Sequence, residues 1–199
     1  AQKGAHVQTL VIPRQATAEQ LDGIVADFTR DNPVDVIIDC NHAGEAVHFE
    51  QLSPKEVQKL LFRSSSARFI LYKHLSSAKT LPSQVICLTA EDGAFGLGKR
   101  GPQLSDPTFG LLTGFYKGLR KEWPGCSVRI LDLLAQNLEA SIELVVAELE
   151  HASLGVEIAY MAGKRHIVKL RDEQLSPDTP RTYSNEDTFL ISGGGSGIA

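Results

Sequence analysis

The sequence predicts an α/β fold: a mainly parallel sheet with helices on both faces and a hairpin at its C-terminal edge. Three observations predict it. Short apolar runs alternate along the chain with longer segments of helical period. Two of those runs, Val85-Ile86-Cys87-Leu88 and Val128-Arg129-Ile130-Leu131, are apolar at nearly every position, as in strands covered on both faces. Two of the helical segments open on a capping box, in which side chains three residues apart satisfy each other's free N–H groups.

The elements follow in order. Residues 5–12, AHVQTLVI, read as a first strand. Thr17 to Gln20 is the first capping box, and Leu21, Ile24, Val25 and Phe28 then fall on one helical face. Asn32-Pro33 breaks that helix, and Val34 to Ile38 is a second strand, expected to be covered on both faces. Ser53-Pro54-Lys55-Glu56 is the second capping box, with proline at the first helical position. It opens a long helix carrying Val57, Leu60, Leu61, Ile70, Leu71 and Leu75. Val85–Leu88 is the third strand. Asp106-Pro107 starts a helix that ends near Trp123-Pro124-Gly125, and Val128–Leu131 is the fourth strand. Leu138, Ile142, Val145, Val146 and Leu149 mark the expected inner stripe of the last helix. Val156–Met161 and His166–Leu170 read as a hairpin turning through Ala162-Gly163-Lys164-Arg165. Strands alternating with helices of this length imply βαβ units, and right-handed crossovers would put helices on both faces.

Residues 171–187, RDEQLSPDTPRTYSNED, are polar, contain Pro177 and Pro180 and read as a linker. Thr188-Phe189-Leu190-Ile191 then starts a fresh strand that runs into Ser192-Gly193-Gly194-Gly195-Ser196-Gly197-Ile198-Ala199. Gly193 suits the tight turn of a phosphate-gripping loop, and Gly197 suits close packing of a following helix. A flexible Gly/Ser tether is the other reading of this tail; the apolar run before it argues against that. No helix follows Ala199, so a nucleotide bound there would lack most of its site. The chain also lacks a starting methionine, which points to a processed chain or a piece of a longer one.

Composition narrows the function. The chain has 199 residues, 42% hydrophobic and 22% charged, as in one ordinary globular domain with a tail. A net charge of -4 without a long run of either sign argues against nucleic acid or an anionic membrane as partner. No apolar run approaches the roughly 20 residues of a spanning helix, and no signal-peptide core is visible. Cys40, Cys87 and Cys126 form no C-x-x-C pair and read as reduced thiols in a cytoplasmic protein. Cys40 and His42 lack a second ligand pair, so no metal site is expected. The six histidines, His6, His42, His48, His74, His151 and His166, scatter across elements and form no triad pattern.

A literal G-x-G-x-x-G lies at Gly96-Leu97-Gly98-Lys99-Arg100-Gly101. The fingerprint works when a strand runs straight into the loop and the loop straight into a helix. Here Glu91–Phe95 intervenes before it and Pro102–Ser105 after it, so the stretch reads as a plain loop.

With these residues in view, the chain resembles the short-chain dehydrogenase/reductase superfamily. More closely it resembles the ketoreductase region of modular polyketide synthases and related fatty-acid synthases. Gly114-Phe115-Tyr116-Lys117-Gly118-Leu119-Arg120-Lys121-Glu122-Trp123-Pro124, followed by Val128-Arg129-Ile130-Leu131-Asp132, carries most of the likeness, together with the loop from Ser192 to Ala199. The resemblance implies a truncated Rossmann-like structural subdomain without cofactor over residues 1–170, a linker over 171–187, and the first strand and glycine loop of the catalytic subdomain over 188–199. It implies NADPH in the complete ketoreductase and none in this chain alone. Ser192, Gly193, Gly195, Ser196, Gly197 and Ile198 would supply part of that cofactor site. The implied partners are the catalytic subdomain downstream in the same polypeptide and an acyl carrier protein. Active members carry a Tyr-x-x-x-Lys pair upstream of the Gly114 segment, where the tyrosine donates a proton to the substrate carbonyl. Counting back, those places hold Ser105 and Phe109, and neither fits. Tyr116-Lys117 and Tyr72-Lys73 are adjacent pairs. Tyr160 and Lys164 have the spacing but lie in a strand and turn. No catalytic residue is therefore expected. Two other readings remain: an oxidoreductase binding nucleotide at Gly96–Gly101, and a Rossmann-like interaction module.

Overall fold

The computed structural model describes residues 6–13, 16–30, 33–40, 51–77, 81–98, 108–133, 138–151, 155–172 and 182–190. Two compact units are present, Ala1–Val168 and Lys169–Ala199.

The first unit is the predicted α/β layer structure. Its elements are α1 (Ala18–Arg30), β1 (Val36–Asp39), α2 (Pro54–Leu61), α3 (Ala67–Ser76), β2 (Gln84–Thr89), α4 (Thr108–Glu122), β3 (Ser127–Asp132), α5 (Leu138–Glu150), β4 (Glu157–Met161) and β5 (Lys164–Ile167). The strands lie in the order β1-β2-β3-β4-β5. The first four are parallel and β5 returns antiparallel to β4.

Local chemistry sets the helix starts. The Thr17 N–H donates to Gln20 Oε1 at 2.9 Å, and the Gln20 N–H to Thr17 Oγ1 at 3.2 Å, closing the first capping box. Ser53 and Glu56 close the second, and Pro54 follows the cap. The long helix expected from there is two helices joined by a π-helical turn, Phe62–Ser66.

Both faces of the sheet are covered, by different helices. Tyr72 and Leu75 of α3 and Tyr116 and Leu119 of α4 pack on Val85, Cys87, Val128 and Ile130. Val145 of α5 packs on the other face, against Ile86, Leu88, Leu131 and Ile158. All three crossovers step across the sheet in the same direction. Two that share a face therefore share a hand, and the third, through α5, has the opposite one. This corrects the expectation of uniformly right-handed connections, a rule with few exceptions.

Four further expectations are corrected. Residues 6–12 form no strand; Leu10 and Ile12 pack instead with Leu21 and Val25 of α1 and Ala67 of α3 in a satellite core. β1 begins at Val36 and is covered on one face only, leaving Val36 and Ile38 40% and 44% exposed. On α5, Ile142 is 61% exposed and Val146 is also exposed; the buried stripe is Ser141, Val145 and Glu148. The hairpin turns on two residues, Ala162 (φ 49°) and Gly163 (φ 71°), so Lys164 and Arg165 are strand residues. Positive φ at both central positions is what a tight hairpin turn with the right twist requires.

In the second unit, Ser184 donates to Asp187 Oδ2 through its N–H at 2.7 Å and its hydroxyl at 3.2 Å, and the Tyr183 and Phe189 rings meet edge-on at 5.0 Å. Thr188–Leu190 is not in a strand. Apolar character alone does not make one; a ladder of N–H and C=O partners does.

Candidate functional site

Parallel sheets offer ligands the C-terminal ends of their strands. Here that rim holds Asp39 at the end of β1, Thr89 and the loop 90–98 after β2, and Asp132 at the end of β3. Asp132 is fully buried. Its Oδ1 accepts from the Thr89 hydroxyl at 3.0 Å and the Glu91 N–H at 2.9 Å, and its Oδ2 from the Phe95 N–H at 2.8 Å. Within the loop, Asp92 Oδ1 accepts from the Ala94 N–H at 2.8 Å and the Gly96 N–H at 2.9 Å. The Leu97 N–H donates to the Ala94 carbonyl at 3.0 Å.

This geometry bears on the glycine loop. A phosphate cradle needs free N–H groups and no neighbouring anion. The amides of Glu91, Ala94, Phe95 and Gly96 instead already serve carboxylates. A Cβ on Gly96 would stand 3.1 Å from Glu91 Oε1, and one on Gly98 2.6 Å from Asp92 Oδ2. These glycines make room for acidic side chains, and among the described residues the loop does not fit a dinucleotide phosphate. Lys99, Arg100 and Gly101 lie outside the described residues.

A cavity of about 240 Å³ sits beside this loop, walled by Phe95 and Leu97, by Phe109 and Thr113 of α4, and by Glu157 and Val168 at the base of the hairpin. It is below the roughly 300–1,000 Å³ usual for sites that enclose drug-sized ligands. Phe109, at the place where the resemblance puts a lysine, is buried in the first turn of α4; Ser105 lies outside the described residues.

The remaining tyrosine and lysine pairs are separated by the fold. Tyr116 is fully buried and its hydroxyl donates to Asp39, while Lys117 reaches Glu157 at 2.6 Å. Tyr160 stands opposite Arg165 and Lys164 opposite Met161, and the Tyr160 hydroxyl donates to Glu148 at 2.5 Å.

Two buried polar networks escaped the sequence reading. In the first, Arg68 makes a two-pronged contact with Asp39, Nε to Oδ2 at 2.5 Å and Nη2 to Oδ1 at 3.0 Å. The Tyr72 hydroxyl donates to that of Tyr116 at 3.2 Å. Burial pushes the Tyr116, Tyr72 and Cys87 pKa values well above their ordinary ranges. Burial also opposes the Arg68 charge, but the Asp39 carboxylate more than offsets it and the guanidinium is held protonated. The cluster anchors β1 to α3 and α4; its phenols and thiol stay neutral at ordinary pH and offer neither base nor nucleophile. In the second network, Glu148 of α5 receives Arg165 and Tyr160 from the hairpin and Arg129 from β3. Partners 19 and 29 residues apart leave no local pattern to read.

Ser192, Gly193, Gly195, Ser196, Gly197 and Ile198, the predicted cofactor contacts, lie outside the described residues, as do His42 and His48. Among the described residues, no group of three or more His, Cys, Asp or Glu could hold a metal ion, and no helix is long and apolar enough to cross a membrane.

No protein-family model and no curated protein matches the chain. Solved structures do. A short-chain dehydrogenase from Streptomyces avermitilis superposes with a TM-score of 0.52 at 15% identity, over 73% of this chain and 67% of that one. The shared property is the fold. A short-chain dehydrogenase/reductase from Vibrio parahaemolyticus matches at a TM-score of 0.49, 14% identity and 71% of both chains. A blue fluorescent protein from a metagenomic library, solved in complex with NADPH, matches at 0.46 and 16% identity, over 65% of this chain and 56% of that one.

Proposed function

We propose that residues 1–170 are the non-catalytic structural half of a polyketide-synthase-type ketoreductase. Residues 171–187 link it to an NADPH-binding half that opens at 188–199. The role of this chain is mechanical: it braces the half in which a carrier-protein-bound β-ketoacyl group is reduced. The partners are that catalytic half, downstream in the same polypeptide, and the acyl carrier protein. In the complete ketoreductase NADPH would supply hydride to the β-carbonyl, and residues 1–170 would take no step in that reaction.

One observation carries the reading. At the strand ends, where this fold receives a cofactor, the loop amides are held by Asp132 and Asp92. Phe109, buried where an active reductase needs a lysine, supports it. The competing oxidoreductase reading needs those amides free.

Thermal melting with and without NADPH tests the proposal. A ligand at 100 times its Kd that binds only the folded state adds about 2.7 kcal/mol, which is roughly 5–11 °C for a chain of this size. No shift is expected for this chain, and a clear shift is expected for a chain that continues through the catalytic half. A concentration-dependent shift in the 199-residue chain would overturn the proposal.

A further inference from the structure

We infer that the loop 91–96 is an anion nest whose anion comes from within: the Asp132 carboxylate fills it and latches the loop to the sheet. Three observations carry this. Three donors from β2 and the loop converge on one carboxylate: the Thr89 hydroxyl and the N–H groups of Glu91 and Phe95. Asp132 is fully buried, yet among the described residues no lysine, arginine or histidine pairs with it. Its charge is met by oriented dipoles, as in the backbone nests that hold external anions. Lastly, the loop is wound as such nests are, with left-handed residues at Gly93 (φ 72°), Phe95 (φ 54°) and Gly96 (φ 70°).

Phe95 is the informative one. A bulky side chain is unfavourable at positive φ and persists there only where its surroundings hold it. Asp132 holds it by taking its N–H, and Phe95 then forms a wall of the cavity beside α4. An external oxyanion would have to displace a carboxylate fixed to β3 and therefore always present at high effective concentration. This inference stands whether or not the chain belongs to a ketoreductase.

Two variants test it. In Asp132→Asn the shape is kept, but one acceptor becomes a donor. At least one of the Glu91 and Phe95 amides is expected to exchange about tenfold faster or more, while Ile86 and Ile130 in the sheet keep the parental rate. In Asp132→Ala the nest is vacated. Formate at about 100 mM is expected to raise its melting temperature more than chloride at equal ionic strength, with no such difference in the parent. Parental exchange in Asp132→Asn overturns the inference, as does formate acting no better than chloride on Asp132→Ala. If the alanine variant does not fold, the asparagine variant decides alone.

Discussion

Removing the Asp39 charge leaves Arg68 as a buried cation. The two side chains are 13% and 4% exposed, and their shorter contact is 2.5 Å. Exposed pairs contribute roughly 0–1 kcal/mol because water and salt screen them; this pair lies outside that regime. Breaking a buried pair by removing one partner costs about 3–5 kcal/mol, or roughly 6–20 °C in melting temperature for a domain of this size. Asp39→Asn is expected to fall in that range, since it keeps an acceptor for Tyr116 but not the charge. Arg68→Met added to it removes the cation that Asp39 no longer balances, and the double variant is expected to recover at least half of the loss. Urea unfolding measures this directly, because the sole tryptophan, Trp123, lies in the same core. Its ring sits 5.5 Å from that of Tyr72, and its indole N–H donates to Ser76. Fluorescence and far-UV circular dichroism should give one transition. A loss below about 1 kcal/mol in Asp39→Asn would place the pair in the screened regime and refute the reasoning. So would a double variant that loses as much as the two single variants summed.

Three further outcomes are expected. Burial raises the Glu148 carboxyl, but bonds from Arg165 and Tyr160 lower it more, to a net value below 4.5. A folded value below the unfolded one gives stability that is present above pH 4.5 and fades as the pH falls. Glu148→Gln should therefore be less stable at neutral pH, by about 3–5 kcal/mol, and show a flatter acid limb. Equal acid sensitivity in both proteins would count against this. Of the three thiols, Cys40 is exposed and Cys87 and Cys126 are buried, so an aromatic disulfide reagent should label one thiol rapidly and three after unfolding. Rapid labelling of Cys87 in the native chain would contradict its burial. A Cβ at Gly155 would stand 2.7 Å from Ile167 Cγ2. Gly155→Ala should thus cost about 1–3 kcal/mol in the same urea assay, and a neutral result would mean that the hairpin shifts freely.

What the sequence revealed follows from the range of each signal. Capping boxes act over three residues, and both formed between the named pairs. The strands around Val85–Leu88 and Val128–Leu131 were legible because full burial makes nearly every position apolar. The α5 stripe departs from its apolar period for a physical reason. Glu148 can lie in the core because two arginines and a tyrosine reach it. The buried face therefore runs through Ser141 and Glu148, and two aliphatic residues turn outward. Residues 6–12 have a strand's composition, but the satellite core with α1 and α3 takes their apolar side chains. At the strand ends the glycines were visible, while the carboxylate that occupies their loop comes from a strand about 40 residues later, at a distance no local pattern reports.

The two borders of the sheet differ in kind. At β5, Lys164 puts an exposed cationic side chain on the last strand, beside Arg165, which is already paired with Glu148. Charge of that sort discourages another chain from adding to a sheet. At β1, the other border among the described residues, the strand reads Val36-Ile37-Ile38-Asp39 and bares two of its aliphatic side chains. The molecule therefore has a polarity that its connectivity alone does not convey. Among the described residues, one border carries an exposed lysine and the other bares aliphatic side chains.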